Sequence, residues 1–396
     1  MNKQKSQTGS IHLLIVLIVV IALLGALGFV YWNNFTNDTT SSTTYLFDKM
    51  PDHGNVLASY GSSKDSIKST TSIVRLDNNA KTSLDTGGAS FEEYHGPWVI
   101  GGTFTIIKNA DNGYSILYPD GSTKQVANSL DSTLSKNTID GVGNGIAIGQ
   151  DTLLATKGYA LVQINLTSGS IKNVFEMNVY GPTGQAGAQM SLISITSDKK
   201  EAFVYVDTYQ SGKVTIGNEV IAGNYIFEVN LSDGTYTKST MSNNIGGIHI
   251  YSISNDGKHI AYVNYGYDTD NTEHDYVLDK TTGESTELPS GSFGTNGYAY
   301  FSPDDKFLIL SPIGVDNSRY LQVWSFASES IITEVKTQNS IIGIGWSDNN
   351  DYIYKETTAD DNGVDYFKNL NISKNETSDI YQQSKSYYYW STLISY

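Results

Sequence analysis

Apolar and polar positions alternate along most of the chain in short runs that end at small polar turns. One pattern, in which a strand, a two-residue polar turn and a second strand follow each other, recurs seven times. Most of the turns close on glycine or asparagine, which accept positive φ at little cost, so the flanking apolar runs predict the two strands of a hairpin. The turns close at Asn79, Gly121, Gly169, Gly234, Gly283, Glu329 and Asn375.

A second turn pattern runs in phase with the first. It consists of an apolar residue, Ser or Thr, any residue, Asp or Asn, two polar residues and then an apolar strand, as in the segment from Ile253 to Tyr262. The Asp side chain bonds to its own turn, so this pattern also predicts a hairpin. The copies begin at Ile195, Ile253, Phe301 and Trp346, and a degenerate copy begins at Met50.

Together the two patterns give four strands, A to D, in each repeat. Self-similarity at a period of about 40–50 residues, built from short strands, is typical of a β-propeller. We therefore predict an all-β, seven-bladed β-propeller over 43–396, preceded by one N-terminal transmembrane helix. The predicted blades span about 43–86, 91–127, 139–175, 190–240, 248–289, 296–336 and 340–383.

The aromatic segment 386–396 is left over after the seventh predicted blade. Its apolar, β-rich character predicts a closing strand beside the first blade. The strand either displaces or flanks the segment 43–48, and the sequence leaves both arrangements open.

The Asp turns resemble the TolB-like, or PD40-type (WD40-like), propeller repeat of bacterial proteins. The core of that repeat reads Ser-Pro-Asp-Gly-Lys before an apolar strand, and the similarity is strongest at 251–262 and 300–310. The resemblance covers about 43–383. It implies the propeller fold, and it implies protein binding as one use among the many roles that this family serves.

The N-terminus carries a long apolar segment. Residues 11–32 contain no charged residue and are long enough to cross a bilayer as a helix. Lys3 and Lys5 precede this segment, so the positive-inside rule predicts a cytoplasmic tail at 1–10 and an extracytoplasmic propeller. The polar stretch 33–44 reads as a stalk.

Two alternatives to an uncleaved anchor remain open. A signal peptide would be removed, although its apolar region is normally shorter, about 7–15 residues. The segment from Gly9 also resembles a type IV pilin N-terminus, but Leu14 stands where pilins place Glu. A mature terminus at Ser10 would indicate pilin-like processing.

The chain is acidic, with a formal net charge of −16, and it contains no cysteine. The negative charge argues against nucleic acid and anionic lipid headgroups as partners, and permits cationic ligands and divalent metals. The lack of cysteine excludes disulfides and a thiol nucleophile, and it fits bacterial export.

The Asp and Gly turns are predicted to lie on one face of the propeller, and the longer B–C and D–A loops on the other. Because long loops carry ligand contacts more often, we expect binding on the loop face. The B–C loop at 207–224 contains a further hairpin signal and is expected to project from the body. The candidate ligand residues are Tyr267, Asp268, Asp270, Asp275, Asp360, Asp361 and Asp365.

Four acidic residues in the first of these loops alternate in a manner that suits calcium. The calcium candidates are Asp268, Asp270, Glu273 and Asp275. No other cofactor is predicted.

The sequence has no Gly-X-Ser-X-Gly elbow, no His-Glu-X-X-His pair and no phosphate-binding loop. We therefore predict no catalytic residues and favour a binding protein over an enzyme. The first hypothesis is a membrane-anchored, extracytoplasmic scaffold for protein binding or assembly. The alternatives are a carbohydrate- or cell-wall-binding module, a glycan-active enzyme and a pilin-like surface subunit.

Overall fold

In the computed structural model, nearly all of the described secondary structure is β-strand. The described residues are 44–45, 56–62, 69–75, 81–85, 103–108, 113–134, 142–180, 189–208, 213–221, 224–238, 248–265, 273–289, 300–314, 316–359, 363–384 and 388–394. They belong to one unit, Thr44–Tyr396.

The predicted membrane segment 11–32 lies outside the described residues, as do the tail and nearly all of the stalk. Within the described part, no helix is long and apolar enough to cross a membrane. The helical content there consists of a 3₁₀ turn, Asn128–Leu130, and a short helix, α1 (Asp131–Leu134).

Five sheets are antiparallel blades whose strands pair in the order of the chain, apart from a short hairpin inserted in one of them. Blade 2 consists of β8 (Val142–Ala147), β9 (Thr152–Lys157), β10 (Ala160–Asn165) and β11 (Ile171–Glu176). Blade 3 consists of β13 (Gln189–Ile195), β14 (Glu201–Asp207), β17 (Asn224–Asn230) and β18 (Tyr236–Lys238). Blade 4 consists of β19 (Ile248–Ile253), β20 (His259–Tyr265), β21 (Glu273–Asp279) and β22 (Ser285–Glu287). Blade 5 consists of β23 (Tyr300–Phe301), β24 (Phe307–Leu310), β25 (Arg319–Ser325) and β26 (Ser330–Thr337). Blade 6 consists of β27 (Ser340–Trp346), β28 (Asp351–Thr357), β29 (Val364–Asn371) and β30 (Glu376–Ser384).

Blade 1 combines strands from opposite parts of the chain. Its strands are β31 (Tyr388–Ile394), β2 (Val56–Ser62), β3 (Ser69–Arg75) and β4 (Lys81–Asp85), in that order. The late strand β31 pairs with β2 along seven residues, from Ser62 opposite Tyr388 to Val56 opposite Ile394. It also contacts β27 of blade 6. Of the two arrangements that the sequence left open, the structure places β31 first in this sheet.

One further four-stranded sheet departs from the blade pattern. It contains the short strands β5 (Thr105–Lys108), β6 (Tyr114–Leu117) and β7 (Ser122–Gln125), with β1 (Thr44–Tyr45) added beside β7. We call it the β1–β7 sheet, after the pair of strands at one of its edges. The prediction of an all-β propeller is confirmed. The predicted number of seven blades is wrong for the described residues, which form six regular blades. The region predicted as the second blade contributes three short described strands, and the fourth strand of its sheet comes from the segment 43–48.

The insertion in blade 3 forms the predicted hairpin, but it does not project. Strands β15 (Lys213–Ile216) and β16 (Glu219–Ile221) pair around a turn at Gly217, and β12 (Asn178–Tyr180) pairs with β15. The hairpin residues Val214 and Ile216 are buried in an apolar cluster shared by blades 2 and 3. Burial of these side chains keeps the hairpin against the body of the propeller.

The apolar core is divided among the junctions between neighbouring sheets. Phe203 of blade 3 packs with Ile260 of blade 4, and Val277 of blade 4 packs with Leu308 of blade 5. Equivalent clusters join the β1–β7 sheet to blade 2, blade 2 to blade 3 and blade 5 to blade 6. Because each blade is buried on the faces that meet its neighbours, the ends of the sheets are left to carry polar turns and loops.

Candidate functional site

The A–B turns share a hydrogen-bond pattern that explains the sequence repeat. In blade 4, the Ser254 hydroxyl donates to Asp256 Oδ1 at 2.8 Å and accepts from the backbone N–H of His259 at 2.8 Å. The hydroxyl and the carboxylate thus satisfy the turn internally, which is why Ser or Thr stands two residues before Asp. The same pattern joins Thr196 to Asp198 in blade 3 and Ser302 to Asp304 in blade 5.

The residue after the Asp in these turns has a left-handed backbone. Gly257 has φ +71°, while Lys199 and Asp305 occupy the same position in blades 3 and 5 with φ near +57°. A non-glycine residue is strained in this region, so we look for interactions of its side chain that offset the strain. Asp305 has such interactions, because its carboxylate reaches the A–B turn of blade 4.

Asp305 connects two neighbouring blades. Its Oδ1 accepts from the backbone N–H of Asn255 at 2.8 Å and from Asn255 Nδ2 at 2.9 Å, and its Oδ2 accepts from the backbone N–H of Asp256 at 2.9 Å. Burial raises the pKa of Asp305 although these hydrogen bonds oppose the shift. The backbone N–H of Ser197 in turn donates to the carbonyl of Asn255 at 2.8 Å. The turns of blades 3, 4 and 5 therefore form one connected surface, which we call the turn face.

A cavity of about 260 Å³ opens on the turn face between blades 3 and 4. Blade 3 contributes one face of its sheet, and blade 4 contributes both of its turns. The cavity is lined by Glu201, Phe203, Glu228, Asp256, Gly257, Lys258, Lys280 and Thr281. We call it the turn-face pocket.

The charges in the turn-face pocket are largely paired. Lys280 Nζ lies 2.5 Å from Glu228 Oε1 and 5.2 Å from the centroid of the Phe203 ring, a cation–π distance. Lys258 Nζ lies 2.8 Å from Asp256 Oδ2. Partial burial opposes the ionisation of Asp256, but hydrogen bonds from Lys258 and from the Ser254 hydroxyl lower its pKa on balance.

Gly257 shapes the floor of the pocket. A Cβ atom at this position would lie 2.6 Å from Phe203 Cζ, well inside van der Waals contact. Together with its positive φ, this close approach makes glycine the residue that fits both the turn and the neighbouring blade.

The sequence-predicted loop residues lie mostly outside the described part of the chain. The backbone of Glu273 lies at the start of β21, opposite Tyr265, but its side chain is not described. The residues outside are Tyr267, Asp268, Asp270, Asp360 and Asp361.

Asp275 and Asp365 are described, and both are buried. Asp275 is 3% exposed, and Asp365 is fully buried and accepts a hydrogen bond from Thr357 Oγ1 at 2.7 Å. Burial also lowers the pKa of the neighbouring Lys355 to about 7, although the Asp365 charge opposes the shift. These two carboxylates therefore belong to the interior of the sheets and are not exposed to an outside ligand.

No group of three or more His, Cys, Asp or Glu residues within the described segments is arranged to hold a metal ion. Since Asp268 and Asp270 lie outside those segments, the calcium site remains a prediction.

Sequence reasoning did not single out Glu201, Glu228 or Lys280. Glu201 follows an Asp turn and Lys280 precedes a Gly turn, so the repeat itself placed both on the turn face. The repeat does not indicate which blade faces pack together. The cluster of Glu201, Glu228 and Lys280 therefore appears only in the folded chain, where blades 3 and 4 are in contact.

Comparisons with known proteins yield structural matches only, because no family model and no curated protein matches the chain. A putative TolB from Agrobacterium tumefaciens aligns with 10% identity and a TM-score of 0.43, covering 87% of this chain and 99% of that one. A putative 6-phosphogluconolactonase from Bacteroides fragilis aligns with 12% identity and a TM-score of 0.48, covering 87% and 98%.

The β-propeller domain of the Trilobed protease from Pyrococcus furiosus aligns with 14% identity and a TM-score of 0.37. That match covers 49% of this chain and spans 57% of the protease domain chain. The chain is a β-propeller, and its structural neighbours include a TolB. At these identities the likeness concerns the fold alone and assigns no activity.

Proposed function

We propose that this chain is a membrane-anchored, extracytoplasmic scaffold that binds a protein partner through its turn face, in place of the loop face that loop length alone favoured. The observation that carries the proposal is the direct hydrogen bonding from turn to turn across blades 3, 4 and 5. Such bonds fix the surface before a partner arrives, and a preorganised surface loses less conformational entropy on binding.

The location rests on the N-terminal sequence. An uncharged segment at 11–32 follows Lys3 and Lys5, which supports an anchor with a cytoplasmic N-terminus. The polar stretch 33–44 would separate the propeller from the membrane. In this arrangement the propeller lies in the extracytoplasmic space.

The nature of the partner follows from charge. A net charge of −16 repels nucleic acid and anionic lipid headgroups and attracts basic surfaces. The turn-face pocket adds a recess of defined shape to this attraction. A protein with a basic segment satisfies both conditions.

Photo-crosslinking in cells that produce the full chain tests this function. A photo-reactive amino acid replaces either Thr281, which is exposed at the turn-face pocket, or Val220, which is 56% exposed on the β15–β16 hairpin. The hairpin belongs to the loop between β14 and β17, at the opposite end of blade 3, so Val220 is a matched control for the other face.

We expect a protease-sensitive adduct from Thr281 and none from Val220. Adducts from Val220 alone would move the binding surface to the loop face and contradict the proposal. Adducts that survive protease, and whose formation is prevented by soluble sugar during irradiation, would indicate a glycan ligand instead. The lack of any adduct at either position would rule out the scaffold function.

A further inference from the structure

Among the described residues, one carboxylate of the turn-face pocket takes part in no ion pair or side-chain hydrogen bond. Of its three acidic side chains, Glu228 pairs with Lys280 and Asp256 pairs with Lys258. Glu201 forms no ion pair or side-chain hydrogen bond with the described residues, and it is exposed. The lining therefore has one uncompensated negative charge.

The strand register places the Glu201 carboxylate on the sheet face that lines the cavity. Glu201 lies opposite Asn230, and Phe203 lies opposite Glu228, in the pairing of β14 with β17. Opposite residues and residues two apart along a strand share one face of a sheet. Since the Phe203 side chain packs against blade 4, Glu201 and Glu228 lie on the same face, at the pocket.

We propose that the turn-face pocket receives an arginine side chain from a basic segment of the protein partner. This inference rests on the proposed scaffold function and names the chemistry of its contact. One cation balances the charge of the lining. A guanidinium group suits the site because its planar set of N–H donors can bind the Glu201 carboxylate through two parallel hydrogen bonds.

The existing lysines explain why one added cation suits the pocket. Lys280 already covers the Phe203 ring and neutralises Glu228, so the aromatic floor is occupied from within. The site left for a ligand is the side next to Glu201. Its carboxylate is still solvated, so its partial dehydration on binding is offset by charge-assisted hydrogen bonds to the guanidinium.

Peptide binding to the purified full chain tests the proposal. The probes are a fluorescent tetra-arginine peptide and its tetra-citrulline analogue, which has a similar shape and no charge. The variant is Glu201→Gln, and the matched control is Glu284→Gln on the C–D turn of blade 4. Glu284 is exposed and does not line the pocket, so both variants remove one surface negative charge.

We expect the arginine peptide to bind the natural chain at least about tenfold more tightly than the citrulline peptide, from the strength of charge-assisted pairs. Glu201→Gln should weaken arginine binding by about three- to tenfold, whereas Glu284→Gln should change it less than about twofold. Equal weakening by the two variants would reduce the effect to general attraction by an acidic chain and overturn the proposal. Failure of the arginine peptide to bind would also overturn it.

The outcome is separable from that of the scaffold function. If Thr281 crosslinks to a protein and Glu201→Gln has no specific effect, the turn face binds a partner but the arginine pocket is wrong. If Thr281 gives no adduct while Glu201→Gln selectively weakens the peptide, the pocket binds cations and the scaffold function is wrong. Circular dichroism of each variant confirms that the fold is retained.

Discussion

At the residue scale, the left-handed position of the A–B turns shows that a residue which departs from the repeat can connect neighbouring blades. Gly257 fills this position with the residue that the backbone prefers, whereas Lys199 and Asp305 replace it at a conformational cost. Asp305 offsets the cost with three hydrogen bonds to blade 4. Lys199 forms no side-chain hydrogen bond or ion pair with the described residues, so no such bond offsets its strain.

Glycine substitutions at these two positions should therefore have opposite effects. Lys199→Gly relieves strain and should raise the free energy of unfolding by up to about 1 kcal/mol, whereas Asp305→Gly loses the links to Asn255 and Asp256 and should lower it by about 2 kcal/mol. Urea unfolding of the purified variants measures both values. A gain in stability for Asp305→Gly would show that the links between blades contribute nothing.

The turn chemistry itself was predictable from sequence, because Ser254 and Asp256 are neighbours in the chain and act within one turn. The partners of Asp305 were not, because Asn255 is separated from it by a complete strand meander. Local spacing identifies hairpins, but contacts between blades depend on packing that only the folded chain shows. For the same reason Glu201 and Lys280 were not recognised as members of one site.

At the element scale, strand β28 carries an ionisable group inside a sheet. Lys355 is 1% exposed and lies opposite Phe367, and Thr357 on the same strand lies opposite Asp365. All four share one face of the sheet because they are directly opposite or two residues apart. Burial of Lys355 disfavours its charged form, which couples the stability of blade 6 to pH.

The pKa of Lys355 is lowered from its ordinary value of 10.5 to about 7, with the sign set by burial. Between these values the unfolded chain holds one more proton than the folded chain, so stability rises as the pH rises. We expect the free energy of unfolding to increase by about 1 kcal/mol per pH unit from pH 7 to pH 9. Urea unfolding of the natural chain and of Lys355→Met measures this slope.

The slope should largely disappear in Lys355→Met, because methionine does not titrate. If the two chains show the same dependence on pH, other groups cause it and the buried lysine is not the source.

The strands themselves were predicted well where the alternation was strong, and the β15–β16 hairpin is an example. Its position on the body was not predicted, because the cluster that buries Val214 and Ile216 includes side chains of blades 2 and 3, which are distant from the hairpin in the sequence. The addition of β1 to β7 was also missed, since a two-residue pairing at Thr44–Tyr45 leaves almost no pattern in the sequence.

At the scale of the whole molecule, a carboxylate joins the irregular β1–β7 sheet to blade 2. Asp151 accepts hydrogen bonds from Tyr118 Oη at 2.5 Å, from Lys124 Nζ at 2.9 Å and from Thr167 Oγ1 at 2.6 Å. Tyr118 and Lys124 belong to the β1–β7 sheet, and Asp151 and Thr167 belong to blade 2. Because this sheet lacks the regular blade order, such a link helps to fix its place.

Burial favours the neutral form of Asp151, but the hydrogen bonds from Thr167, Tyr118 and Lys124 lower its pKa below the ordinary value of 3.8. The resulting stabilisation is present above pH 3.8 and is lost as the pH falls below it. Asp151→Asn should therefore lower the free energy of unfolding by about 2 kcal/mol at pH 7 and by much less at pH 3.

Urea unfolding at both pH values tests the link, and Asp233→Asn is the control because Asp233 is exposed on a turn within blade 3. A loss that is the same at both pH values would show that the charge of Asp151 does not stabilise the junction.

Because of the pairing of β31 with β2, blade 1 cannot be completed until late in biosynthesis. Blade 1 holds the first strands of the regular blades to leave the ribosome, yet its β31 strand is made after all the other described strands. Until residues 388–394 have been made, the β2 edge exposes unpaired backbone groups. A chain that lacked β31 would keep blades 2 to 6 and leave the β2 edge open, and an unpaired edge strand of this kind favours aggregation.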